Sequence, residues 1–117
     1  MSGESGSVLI VVIDANEIVN WNSFHSVFQK TFGFFDGYGR NMNAWIDCMG
    51  SLDDPSPGLS DVRLARGSTL TLKLLNVVSF KLRCPDIYDA LIECTSFVNW
   101  HCAEANDAPA IALAFYG

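Results

Sequence analysis

The chain has 117 residues, 7 basic and 13 acidic side chains, a formal charge of −6, and a composition that is half hydrophobic. That length fits one ordinary domain, and the apolar content excludes an intrinsically disordered chain. The acidic balance argues against nucleic acid as a direct partner, because gripping phosphates takes clustered Lys and Arg.

Residues 1–7 read as a flexible leader, and 8–117 as a single domain. No basic residue precedes the apolar run Val8–Ile13, which has only six residues, so neither a signal peptide nor a membrane span is expected. That run is continuously apolar and β-branched, the pattern of a strand covered on both faces and therefore central in a parallel sheet. After the polar turn Asp14–Asn16 the period changes. Phe24, Val27, Phe28 and Thr31 fall at helical spacing, with Asn22 or Ser23 as N-cap and Gly33 closing the helix.

Phe34–Gly39 reads as an aromatic and glycine-rich loop, with Phe34, Phe35 and Tyr38 packing it against the sheet. Asn41 then caps a short helix, Met42 to Met49, which ends at Gly50. Residues 50–67 hold two prolines and three glycines and read as irregular. The alternation in Thr69–Leu75 predicts a strand with one more polar face, nearer the sheet edge. Val77–Leu82 suits a helical turn, and Pro85 opens a long helix from Asp86 to about Glu104. Its apolar stripe is Ile87, Ala90, Leu91, Cys94, Phe97 and Val98, reaching His101 or Cys102. Pro109–Tyr116 is a final strand. The order predicts an α/β fold in which a three-stranded parallel sheet is packed by about four helices.

The charge is unevenly placed. No Lys or Arg falls within 41–62, which carries Asp47, Asp53, Asp54 and Asp61, and none falls after Arg83. The cysteines Cys48, Cys84, Cys94 and Cys102 form no Cys-x-x-Cys pair and have no zinc-ligand spacing, so reduced thiols in a cytoplasm are expected. His25 and His101 stand isolated from any nucleophile or carboxylate set, and Asp53-Asp54 reads as solvated loop charge. No cofactor, metal ligand or catalytic residue is expected.

One segment carries a specific signal. Tyr38-Gly39-Arg40-Asn41-Met42-Asn43-Ala44, followed by Asp47-Cys48-Met49, resembles the signature of the barstar family, intracellular inhibitors of small secreted bacterial ribonucleases. Phe24-His25 is similar to the hydrophobic-His pair of that family's first helix, and the element order agrees over most of 8–116. The resemblance implies a barstar-like fold and a cytoplasmic, non-enzymatic protein. Its partner would be a basic ribonuclease or related toxin, bound by an acidic helix face. The departures are Gly37 for the first of two tyrosines, Arg40 and Asn43 for carboxylates, and Trp45-Ile46 for a Leu-Trp pair.

On a helix, Asn43, Ile46, Asp47 and Gly50 share one face, while Met42, Trp45 and Met49 share the other. A core-facing Trp45 leaves Asn43 and Asp47 exposed with Ile46 between them. From spacing alone Asp47 is an ordinary solvated carboxylate; the resemblance implies that it anchors an interface by pairing with the cations of a ribonuclease cleft. Tyr38 and Gly39 fall at the rim of that interface. Glu104 and Asp107 are either a second contact or steering patch, or solubilising charge at a helix end. Two alternatives stay open: an immunity or regulatory protein of this fold with a non-ribonuclease target, and a small α/β ligand-binding domain, which a deep polar pocket would favour.

Overall fold

The computed structural model describes residues 9–54 and 58–117, so the expected leader and Val8 lie outside the described residues. In chain order it contains strand β1 (Leu9–Asp14), a 3-10 turn (Ala15–Glu17), and helices α1 (Trp21–Phe32) and α2 (Met42–Met49). Strand β2 (Leu70–Leu75), helices α3 (Val77–Arg83) and α4 (Pro85–Glu104), and strand β3 (Ile111–Phe115) follow.

The three strands form one parallel sheet in the order β1-β2-β3. The central strand is therefore β2, and β1 is an edge strand, the reverse of the expectation from sequence. The apolar run of β1 suggested two covered faces, yet its outward residues Ile10 and Val12 are 55% and 50% exposed. Because the sheet is buried on one face, its central strand alternates, with Leu70, Leu72 and Leu74 inward and Thr71 and Lys73 half-buried on the other side. Register aligns Leu9, Leu70 and Ile111, then Val11, Leu72 and Leu113, then Ile13, Leu74 and Phe115 in cross-strand rows on the inner face.

Helix α1 begins earlier than its spacing suggested. Asn20 is the N-cap, accepting from the Ser23 backbone N–H at 2.8 Å, while the Ser23 hydroxyl accepts from the Asn20 N–H at 3.0 Å. Ser23 is thus the return partner of the cap and not the cap itself. Gly33 ends the helix in the left-handed conformation at φ 66°, where an added Cβ would strike the Asp61 carboxylate.

Phe24, Phe28 and Phe32 recur every fourth residue on α1 and are fully buried, as is Trp45 of α2. The Phe24 and Phe28 ring centroids are 4.7 Å apart, and Phe28 meets Trp45 edge to face at 5.6 Å. At roughly 1.5–3 kcal/mol for each large side chain withdrawn from water, this aromatic stack is a principal reason α2 is held where it is.

Asn76, itself left-handed at φ 61°, precedes α3 and donates to Asp14 Oδ1 at 2.8 Å, joining the ends of β2 and β1. Arg83 at the other end of α3 donates to the Ile18 carbonyl at 2.8 Å and the Ala15 carbonyl at 3.2 Å. Helix α4 buries Ile87, Leu91, Thr95 and Val98. Its Asn99 amide clamps both backbone groups of Ile111, donating at 2.9 Å and accepting at 3.1 Å. One expectation for this helix is corrected: Phe97 is exposed, because the buried seam 87-91-95-98 leaves it to one side; of the two alternatives at the end of the stripe, His101 is exposed and Cys102 half-buried. The four cysteines are free, Cys48 and Cys84 buried, Cys94 and Cys102 half-buried. Among the described residues no helix is long and apolar enough to cross a membrane.

Candidate protein-binding site

Helix α2 is positioned from both ends. At its start the Asn41 side chain accepts from the Ala44 N–H at 2.8 Å, satisfying a helix donor that would otherwise lack a partner. At its end the Gly50 N–H reaches the Ile46 carbonyl at 2.8 Å, and a Cβ on Gly50 would approach that same oxygen to 2.9 Å.

The loop before α2 is tied back onto α1. Arg40, at φ 54°, folds over that helix and donates to Gln29 Oε1 at 3.0 Å and to the Asn22 carbonyl, Asn22 Oδ1 and Ser26 Oγ, each at 2.8 Å. Its guanidinium is therefore committed to α1 and does not project with the α2 side chains. Tyr38 is buried against Phe34, their centroids 4.8 Å apart, and its hydroxyl lies 2.5 Å from His25 Nδ1. Burial, and then the positive charge of Arg40, hold the His25 pKa below its usual value. Burial pushes the Tyr38 phenol up, the neighbouring Cys48 adds to this, and Arg40 partly offsets it. Cys48 is itself pushed up to about 11 by burial, with Asp47 adding to the effect. Neutral His25, Tyr38 and Cys48 thus form the hidden support of the helix.

What α2 presents outward is the strip Asn43, Ile46, Asp47 and Gly50: Asn43, Asp47 and Gly50 are exposed and Ile46 is half-buried. Below it an open groove of about 510 Å³ runs between α2, residues 50–54, residues 64–68 and the second half of α4. Ile46, Asp47, Asp53 and Asp107 line it, with Arg66 as a basic residue on its wall.

Of the residues singled out from sequence, the fold brings Ile46, Asp47 and Asp107 to one groove and places Asn43 on the same helix face. Gly39 is exposed in the loop that enters α2. Tyr38 lies beneath the surface and acts as a brace, not as part of the rim. Glu104 is exposed on α4 outside the groove lining. Of the loop aromatics, Phe34 is buried and Phe35 is exposed. Sequence reasoning missed Phe97, Trp100 and His101 as surface residues. The helical period places Phe97 on the core stripe, whereas Trp100, three residues on, lies off the buried seam and marks the exposed side.

Comparison with curated proteins gives no match to this chain. Comparison with protein families matches one, described as Barstar (barnase inhibitor), over residues 8–114, nearly the whole chain. The match runs from β1 through all four helices into β3, including the braced α2 and its exposed carboxylate. The chain belongs to the barstar family.

Proposed function

We infer that the chain inhibits a basic ribonuclease or related toxin by seating the outer face of α2 in its active-site cleft, with Asp47 as the central charge. The observation that carries this reading is the exposed Asn43-Ile46-Asp47 strip on a helix fixed at both ends and from behind, in a member of a family described by its inhibition of barnase. A cleft built to hold phosphate is cationic, and a carboxylate held rigidly in advance pairs with those cations at little ordering cost. The mode is occlusion without chemistry. The charge of −6 favours encounter with a basic partner, and Asp107 across the groove adds to the field. Four free thiols suit a reducing cytoplasm, where an immunity protein meets its toxin before export or after entry.

The test is a ribonuclease assay with barnase as the probe enzyme. Equimolar chain is expected to abolish activity, and Asp47→Ala to need at least about 30-fold more chain for half-inhibition when both are titrated at low enzyme concentration. Full activity at micromolar wild-type chain would contradict the ribonuclease reading. It would favour the second reading, a barstar-family protein with another protein target. That reading draws its support from Asn43, and from Arg40 held on α1, which leave Asp47 as the carboxylate of α2.

A further inference from the structure

Helix α4 carries a second exposed feature beside the groove. Glu93, Phe97, Trp100, His101 and Glu104 fall at i, i+4, i+7, i+8 and i+11, one face of the helix. Phe97 is 45% exposed and Trp100 54%, and the side chains meet one another instead of the core. Phe97 and Trp100 stack at 6.2 Å with 25° between their planes, and His101 stands edge-on to Phe97 at 4.7 Å and to Trp100 at 5.1 Å. The result is a preformed aromatic platform on the surface.

Its surroundings are acidic. Glu93 and Glu104 bracket the platform on its own helix, and Asp47, Asp53 and Asp107 line the groove that Phe97 and His101 also line. No Lys or Arg occurs after Arg83, so Arg66 is the basic residue facing the groove from another element. A purely apolar partner would strip water from these carboxylates without pairing them, and an anionic partner would be repelled. A cation with a flat face meets both demands. A guanidinium stacks on the negative face of an aromatic ring while its edge donates hydrogen bonds to carboxylates; a compact ammonium offers no such plane.

We propose that the Phe97-Trp100-His101 face of α4 is a seat for an arginine side chain of the partner protein, extending the α2 contact across the groove onto α4. This rests on the docking role of α2 for its place in a complex, but the seat itself is testable without the partner.

N-acetyl-arginine methylamide, titrated into the labelled full chain and followed by NMR, is expected to shift the Trp100 indole N–H and the Phe97 and His101 ring signals saturably at millimolar concentration. The lysine analogue should shift them at least threefold less at equal concentration. Trp100→Ala, a change at an exposed position, should keep the wild-type unfolding midpoint and lose the remaining shifts. Absence of saturable shifts at these rings would overturn the seat, as would equal response to the two analogues or an unchanged response in Trp100→Ala. With barnase as a second probe, Trp100→Ala is expected to weaken binding at least fivefold. If Asp47→Ala abolishes that binding while Trp100→Ala leaves it intact, the extension onto α4 is wrong and the α2 reading stands. If the arginine analogue binds at Trp100 while barnase does not bind, the seat stands and the ribonuclease reading is wrong.

Discussion

His25 Nδ1 and the Tyr38 hydroxyl lie 2.5 Å apart, both side chains buried, and so join the middle of α1 to the loop that opens α2. Trp21 stacks on the same imidazole at 6.0 Å, so the ring is enclosed on its helix side as well. Replacing Tyr38 by Phe removes the hydroxyl and leaves a buried imidazole nitrogen without its partner, at a cost of about 1–3 kcal/mol. Urea unfolding of Tyr38→Phe beside wild type measures it, and an unchanged midpoint would mean that the bond adds nothing to stability.

Burial of His25, and then the charge of Arg40, give the fold a pH dependence with a definite sign. The folded-state pKa of His25 lies below its ordinary value of 6.5, so the unfolded chain binds that proton more readily. The stability due to neutral His25 is complete above pH 6.5 and declines as pH falls from there toward the folded pKa. The slope for one proton is at most about 1.4 kcal/mol per pH unit. Wild type should therefore lose stability between pH 7.5 and 5.5, and His25→Gln should lose less over the same interval. Equal losses in the two proteins would show that His25 is not the group responsible.

Arg40 is a strut, and its replacement should act on the loop more than on the core. Arg40→Ala deletes donors to Gln29, Asn22 and Ser26 on an exposed surface, at a cost of roughly 1 kcal/mol. Amide exchange at the first turn of α2 should quicken while exchange in β2 stays as in wild type. Uniform change across both elements, or none in α2, would count against a local bracing role.

Much of the fold was legible because its local signals agree with its packing. Gly33, Asn41, Gly50 and Pro85 mark helix boundaries through backbone geometry and capping chemistry that depend on few distant contacts. Strand order was not legible in that way. The apolar outer residues Ile10 and Val12 gave β1 the pattern of a central strand, while Lys73, whose ammonium lies 4.4 Å from the Tyr116 ring centroid, gave β2 that of an edge strand. Which faces are covered is a property of the assembled layers, and it decided both cases. The α2 strip could be read from a motif and a helical period. The platform at Phe97 and Trp100 could not, because a one-residue offset from the seam through Leu91, Thr95 and Val98 separates core from surface on a helix of this length.

Thiol chemistry offers an independent check on the packing behind α2. Cys48 is buried and its pKa is pushed up to about 11, so at pH 8 it has little thiolate and little access. In native protein Ellman's reagent should label Cys48 and Cys84 at least tenfold more slowly than Cys102, the levelling of rates coming only in denaturant. Rapid native labelling of Cys48 would show that α2 lifts from the core far more often than its enclosed Trp45 and Met49 allow.

The proposed docking of α2 turns on Asp47. Truncating one side of a charge pair that is desolvated in a complex costs at least about 2 kcal/mol, a threshold for which barstar itself supplies a standard example and which is therefore the family's and not one the geometry yields. Isothermal titration of barnase with wild-type chain and with Asp47→Ala, both checked for an unchanged unfolding midpoint, is the most direct measurement. Tight one-to-one binding by wild type, weakened at least roughly 30-fold by the substitution, is the predicted result. Equal affinity of the two proteins for barnase would contradict the placement of Asp47 at the centre of the interface.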